Sequence, residues 1–194
     1  MKFTLSTTPV RSDWVEKQNQ RSDPLIDWEM GGAVLNSPLA DRYTHNWRLW
    51  SDGTTVFINR DDESDTQVIF SGAGITSVSL AFDQVMRPHV AYMEQGVAKF
   101  YYWNTLANAF AVMNLGAGVT YPRCGSDDKR PFFIGKDDVL VAYMKDDSLY
   151  VRWQTDRFGV EQLLAANTGK KMLVQLGMNN QNRMQFRLSK EPEL

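Results

Sequence analysis

Val90-Ala91-Tyr92-Met93 recurs as Val141-Ala142-Tyr143-Met144, 51 positions further along the chain. Each copy runs into a short polar tip, Glu94-Gln95-Gly96 in one and Lys145-Asp146-Asp147 in the other. Each tip leads into an aromatic strand that holds a tryptophan, Trp103 or Trp153. A polar tip between two runs of β-branched and aromatic residues reads as a hairpin. The chain therefore carries one strand–turn–strand unit at least twice.

A third copy lies upstream, in Asn46-Trp47-Arg48-Leu49-Trp50, the turn Ser51-Asp52-Gly53, and Thr54-Thr55-Val56-Phe57-Ile58. Aligning the three tips puts Trp50, Met93 and Met144 at one position, with spacings of 43 and 51 residues. From there to the closing strand (Gln67, Val112, Gln162) the spacings are 17, 19 and 18 residues. Further strands are expected at Gln67 to Phe70, Val78 to Phe82, Phe110 to Met113, Phe132 to Ile134 and Glu161 to Leu164. A last hairpin pairs Met172 to Leu176 with Met184 to Leu188. Units of three to four antiparallel strands recurring at about 40 to 50 residues have the period of propeller blades. One such unit cannot bury its own faces, so units must stack.

The expected fold is all-β, built from repeated antiparallel β-meander units. It is either propeller-like, with the N-terminal segment and the last hairpin supplying a fourth blade, or an open β-sandwich whose exposed face meets another subunit. The units cover about 43–74, 75–120 and 121–166, with the C-terminal hairpin at 171–188, inside a domain spanning 28–188. Residues 1–27 hold few apolar side chains and read as an extended N-terminal arm, with one short helix capped by Ser12 or Asp13. Residues 189–194 read as a tail.

Composition excludes more than it proposes. The 194 residues are 43% hydrophobic and 12% aromatic, enough for one core rich in strands. Lys and Arg number 21 against 23 Asp and Glu, with no basic block, so nucleic acid is not an expected partner. A lone cysteine, Cys124, permits no intrachain disulfide and no multi-cysteine metal site. It reads as a semi-buried thiol near a turn. No apolar run reaches the roughly 20 residues of a membrane helix, and no apolar segment follows Met1-Lys2-Phe3-Thr4-Leu5, so neither a membrane partner nor a signal peptide is expected.

Candidate chemistry is sparse. Asp61-Asp62-Glu63, Asp127-Asp128, Asp137-Asp138 and Asp146-Asp147 lack the spacing of a calcium loop, and turns favour aspartate for its bonds to nearby backbone. Ser51-Asp52-Gly53-Thr54-Thr55 has the composition of a sialidase Asp-box without its spacing or its tryptophan. His45 and His89 stand alone in sequence. No catalytic residue, cofactor or metal ligand is nominated, and the chain is expected not to be an enzyme. Tyr101-Tyr102-Trp103 places aromatic residues on both faces of one strand. With Trp14, Leu25 and Trp28, the two tyrosines Tyr101 and Tyr102 form the expected partner-binding set.

The pattern Val78-Ser79-Leu80-Ala81-Phe82-Asp83-Gln84, then Arg87-Pro88, then Val90-Ala91-Tyr92 before an aromatic strand, resembles small structural proteins of tailed bacteriophages. Leu176-Gly177-Met178-Asn179 with Asn182-Arg183-Met184-Gln185-Phe186, and the Gly-Gly-x-x-Leu-Asn-x-Pro run from Gly31 to Pro38, are similar to the same group. The likeness covers roughly residues 28 to 188. It implies propeller-like units and a non-enzymatic place in the virion, in the tail or the head–tail connection, assembled in the host cytoplasm. The implied partners are other virion proteins and further copies of the chain. The alternative expectation is a carbohydrate-binding module of a receptor-binding apparatus, with a host glycan as ligand.

Overall fold

The computed structural model describes residues 4–5, 47–60, 64–83, 87–127, 138–178 and 184–190, and these form strands with one short 3-10 turn at Gln154–Asp156. The first sheet holds β2 (Trp47–Ser51), β3 (Thr55–Arg60) and β4 (Gln67–Ser71). The second holds β5 (Ile75–Phe82), β6 (Pro88–Glu94), β7 (Val97–Asn104) and β8 (Ala109–Asn114). The third holds β9 (Thr120–Asp127), β10 (Asp138–Lys145), β11 (Ser148–Trp153) and β12 (Gln162–Ala165). The fourth joins β13 (Lys171–Met178) and β14 (Met184–Lys190) to β1 (Thr4–Leu5), which lies parallel to β14. Within the first three sheets every neighbour is antiparallel and consecutive in the chain, the meander expected from the repeat.

The sheets meet face to face in chain order. Leu49, Val56 and Ile58 of the first cover Ile75, Val78, Leu80, Phe82, Val90 and Tyr92 of the second. The opposite face of the second brings Ala81, Ala91, Ala98 and Phe100 against Cys124, Val139, Val141 and Tyr143 of the third. The far face of the third sets Leu140, Ala142, Met144 and Val151 against Leu173, Met184 and Phe186 of the fourth. The second and third sheets are thus apolar on both sides, as strands inside a stack must be.

This arrangement explains the repeated tetrapeptide. In β6, Val90 and Tyr92 turn to the preceding sheet, while Ala91 and Met93 turn to the following one. In β10, Val141 and Tyr143 again face the preceding sheet, and Ala142 and Met144 the following one. The same word fills the same two interfaces because strand alternation assigns each letter a face. The tips agree too. Gln95 and Gly96 both have positive φ, as do Asp146 and Asp147, the backbone that a two-residue turn needs to match strand twist.

The first sheet needs a one-residue correction. Asp52 N–H bonds the Thr55 carbonyl, so Gly53-Thr54 is the two-residue tip that matches Gln95-Gly96. Ser51, not Trp50, then corresponds to Met93. The packing agrees, since Leu49, Val56 and Ile58 face the following sheet as Ala91, Ala98 and Phe100 do. Trp50 stacks on Phe57 on the opposite face, with ring centroids 5.6 Å apart.

β9 is a second correction. Cys124 sits inside this buried strand rather than near a turn. The strand is irregular where Tyr121, at φ 51°, bulges beside the Thr120–Met144 pair, and β5 does the same with Ser77, also at φ 51°, beside Thr76–Met93. Arg123 ties the sheets at this level. Its Nη1 bonds Ser77 Oγ at 3.0 Å in the second sheet, and its Nε bonds the Val174 carbonyl at 3.2 Å in the fourth. At Gly125 a Cβ would come within 2.9 Å of Leu176 Cδ1, so the third and fourth sheets touch through a glycine.

β14 runs on through Lys190, past the expected boundary at 188. The expected strand at 132–134, the short helix near 12–20 and the arm other than Thr4–Leu5 lie outside the described residues.

Candidate partner interface at the outer edge of the second sheet

β8 closes the second sheet on its outer side, pairing only with β7 among the described residues. The ladder sets Tyr101 beside Val112 and Trp103 beside Phe110, with no break in register from Lys99–Asn114 to Asn104–Ala109. These four side chains share the face that looks toward the first sheet. Phe70 of that sheet stacks on Tyr101 at 4.9 Å, Tyr101 on Phe110 at 4.8 Å, and Trp103 meets Phe110 edge-on at 5.0 Å. The Arg87 guanidinium lies 4.6 Å over the Trp103 ring, a cation–π contact.

The inner end of this aromatic run is half-buried and the outer end is exposed. Phe110 is 39% exposed and Val112 51%. The β7–β8 turn adds Leu106, 72% exposed. Asn104 Oδ1 fixes that turn by accepting the Leu106 and Ala107 N–H groups at 3.0 and 3.1 Å. The far face of the first sheet adds Val68, 59% exposed, next to Phe57 and Trp50.

The expected partner residues separate here. Tyr101 joins the aromatic run. Tyr102 points the other way, 5.3 Å from Phe158 and 5.7 Å from Phe100, into the contact between the second and third sheets. Trp14, Leu25 and Trp28 lie outside the described residues. Sequence reasoning passed over Phe110, Val112 and Leu106. Their signal was the uncharged run Ala109-Phe110-Ala111-Val112-Met113-Asn114.

On the third sheet the Tyr143 hydroxyl donates to Glu161 Oε2 at 2.6 Å and accepts from Arg152 Nε at 2.8 Å, and Lys145 Nζ bonds Glu161 Oε1 at 3.0 Å. Tyr143 is fully buried. Burial, and then the Glu161 carboxylate, push its hydroxyl up to about 12. With the tyrosine closed off from solvent, these bonds brace the third sheet by tying β10, β11 and Glu161 together. Tyr143→Phe removes the shared hydroxyl and leaves Glu161 and Arg152 short of one partner each. Stability is expected to fall by about 1–3 kcal/mol, read from urea unfolding.

The Cys124 thiol donates to the Ser79 carbonyl at 2.9 Å and lies 3.3 Å from the His89 carbonyl. Its contact with His89 is through the backbone, and the thiol is buried. Asp52 caps its own turn, accepting the Thr54 and Thr55 N–H groups at 2.8 Å, and these bonds hold it below the usual carboxylate range. Among the described residues no group of three His, Cys, Asp or Glu side chains could hold a metal ion, and no helix is long and apolar enough to cross a membrane. A shallow cleft of about 410 Å³ is lined by Thr120, Met144, Lys145, Asp146, Asp147 and Lys171, among others. Lys145 is already paired with Glu161 there.

Comparison with protein-family models, with curated proteins and with solved structures finds no match to this chain.

Proposed function

We propose that this chain is a non-enzymatic structural component of a tailed-phage virion, a tail or head–tail connection protein that acts through subunit contacts. The observation that supports contact-making is the apolar outer edge of the second sheet, where Phe110, Val112 and Leu106 stand exposed beside a half-buried aromatic run. Contiguous exposed apolar side chains mark interaction sites on folded proteins. The placement in a phage particle rests on the sequence resemblance alone. In this reading the partners are other virion proteins and further copies of the chain, joined after synthesis in the host cytoplasm.

The glycan-binding alternative draws less support. A sugar platform needs a free aromatic face, and Trp103 spends its ring on Arg87 and the edge of Phe110. The deciding experiment is mass measurement of the purified chain, with binding assays against the other proteins of the particle. Stable higher-order species or specific capture by a virion protein are expected. A strictly monomeric chain with no affinity for any of them would sink the proposal.

A further inference from the structure

We infer that β8 pairs with β8 of a second copy of this chain, antiparallel about a two-fold axis at Ala111, so that two second sheets join into one continuous sheet. The inference rests on the subunit-contact reading and names its partner and surface.

Among the described residues three strands close sheets on the outer side of the meander, and they differ. β4 has a register break against β3 between Val56 and Phe57, and β12 has one against β11 between Leu149 and Tyr150. Such irregularities twist an edge away from an incoming strand. β8 is the longest of the three and pairs with β7 over six residues without a break. Folded proteins ordinarily protect an edge like this with lysine, proline or an inward charge. Ala109-Phe110-Ala111-Val112-Met113-Asn114 contains none of these.

The strand is also complementary to itself. A two-fold axis perpendicular to the sheet keeps each side chain on its own face, so only residues of like parity can oppose one another. With Ala111 on the axis, Phe110 opposes the partner's Val112, and Val112 opposes the partner's Phe110. On that face two rows run unbroken across the junction. One is Tyr101, Val112, the partner's Phe110, the partner's Trp103, and the other is its symmetry mate. On the opposite face Ala111 meets the partner's Ala111, and Ala109 meets the partner's Met113, so nothing bulky blocks approach. No like charges meet. The nearby cations are already engaged, Arg87 with Asp83 at 2.6 Å and Lys99 with Glu94. An isologous contact of this kind closes on itself as a dimer, and aromatic–β-branched cross-strand pairs are among the more favourable.

The test uses the full chain in sedimentation and light scattering across a concentration series. The wild type is expected to dimerise. Val112→Lys places two charges in the apolar rows and is expected to weaken the dimer at least about tenfold, with the thermal midpoint of the monomer little changed. Ala111→Cys is expected to form an intermolecular disulfide on mild oxidation, since the native Cys124 is buried. That readout decides the matter even if Val112→Lys folds poorly. A multimer that Val112→Lys leaves intact and Ala111→Cys fails to crosslink overturns the β8 pairing while the subunit-contact reading stands. A monomeric wild type that still binds other virion proteins does the same. A monomer that binds none of them overturns both.

Discussion

Replacing Phe100 by alanine is expected to cost about 3–5 kcal/mol of folding free energy. The ring is fully buried at the middle of the stack, where the second sheet meets the third. Phe158 meets it edge-on at 4.8 Å and Tyr102 stacks beside it at 5.7 Å. The size of the loss follows from what surrounds the site. Apart from Phe158, in the β11–β12 connection, its walls are strands of two different sheets, each held in place by its own hydrogen-bonded ladder, which resists collapse of the cavity. Urea unfolding should give the loss directly, and for a chain of this length the thermal midpoint should drop by roughly 6–20 °C. Val68→Ala is the matched control. It removes apolar atoms from an exposed position, and a change within about 0.5 kcal/mol is expected. If Phe100→Ala cost no more than the control, the face-to-face packing of these sheets would be wrong.

What could be read from the sequence follows the same division between local pattern and distant neighbours. The Val-Ala-Tyr-Met repeat was legible because alternation alone assigns faces, and β6 and β10 use those faces identically. The hairpin tips were legible because Gln95-Gly96 and Asp146-Asp147 must adopt positive φ. The first sheet aligns one residue off because Ser51-Asp52-Gly53 reads as its tip, whereas the Asp52–Thr55 bond sets it at Gly53-Thr54. β9 has no signal in the sequence. Thr120-Tyr121-Pro122-Arg123-Cys124-Gly125 has a proline, a glycine and no alternation. It is a strand because it lies between two sheets, where Gly125 makes room for Leu176 and Arg123 bonds on both sides. None of those partners is near it in sequence.

The candidate interface divides in the same way. Tyr101 and Tyr102 look alike as letters, and parity alone sends one to the aromatic run and the other to the sheet contact. That Phe110 and Val112 are exposed depends on β8 being the last strand of its sheet, a matter of topology that composition does not encode.

His89 carries the second large effect, an acid sensitivity that a single substitution should remove. The imidazole is fully buried beside Phe100 and Phe158, each ring centroid 6.0 Å away, and neither ring nitrogen makes a hydrogen bond. Asp83 Oδ2 stands 3.7 Å from Nε2, an ion-pair separation longer than a hydrogen bond. Burial lowers the pKa of His89, the Asp83 carboxylate works against that, and Arg87 adds to the lowering. The folded state therefore keeps His89 neutral where the unfolded chain would take up a proton. Stability is complete above the ordinary histidine value of 6.5 and is lost as the pH falls below it. Asp83 adds a second loss at lower pH. Burial alone would raise it, but His89 and the Arg87 N–H and guanidinium outweigh burial and hold it at about 2. At neutral pH His89 is uncharged, so the standing charge partner is Arg87. The contribution of this carboxylate is present above pH 3.8 and is lost as the pH drops toward 2. His89→Leu keeps an apolar side chain beside the two phenylalanines and removes two buried polar atoms without partners. It is expected to match or exceed the wild type at neutral pH and to flatten the stability curve between about pH 5 and 7. The only other histidine is His45, so His45→Gln serves as the control and should leave the slope in place. Denaturant unfolding at stepped pH separates the outcomes. A slope that survives His89→Leu would mean that the buried imidazole is not its source.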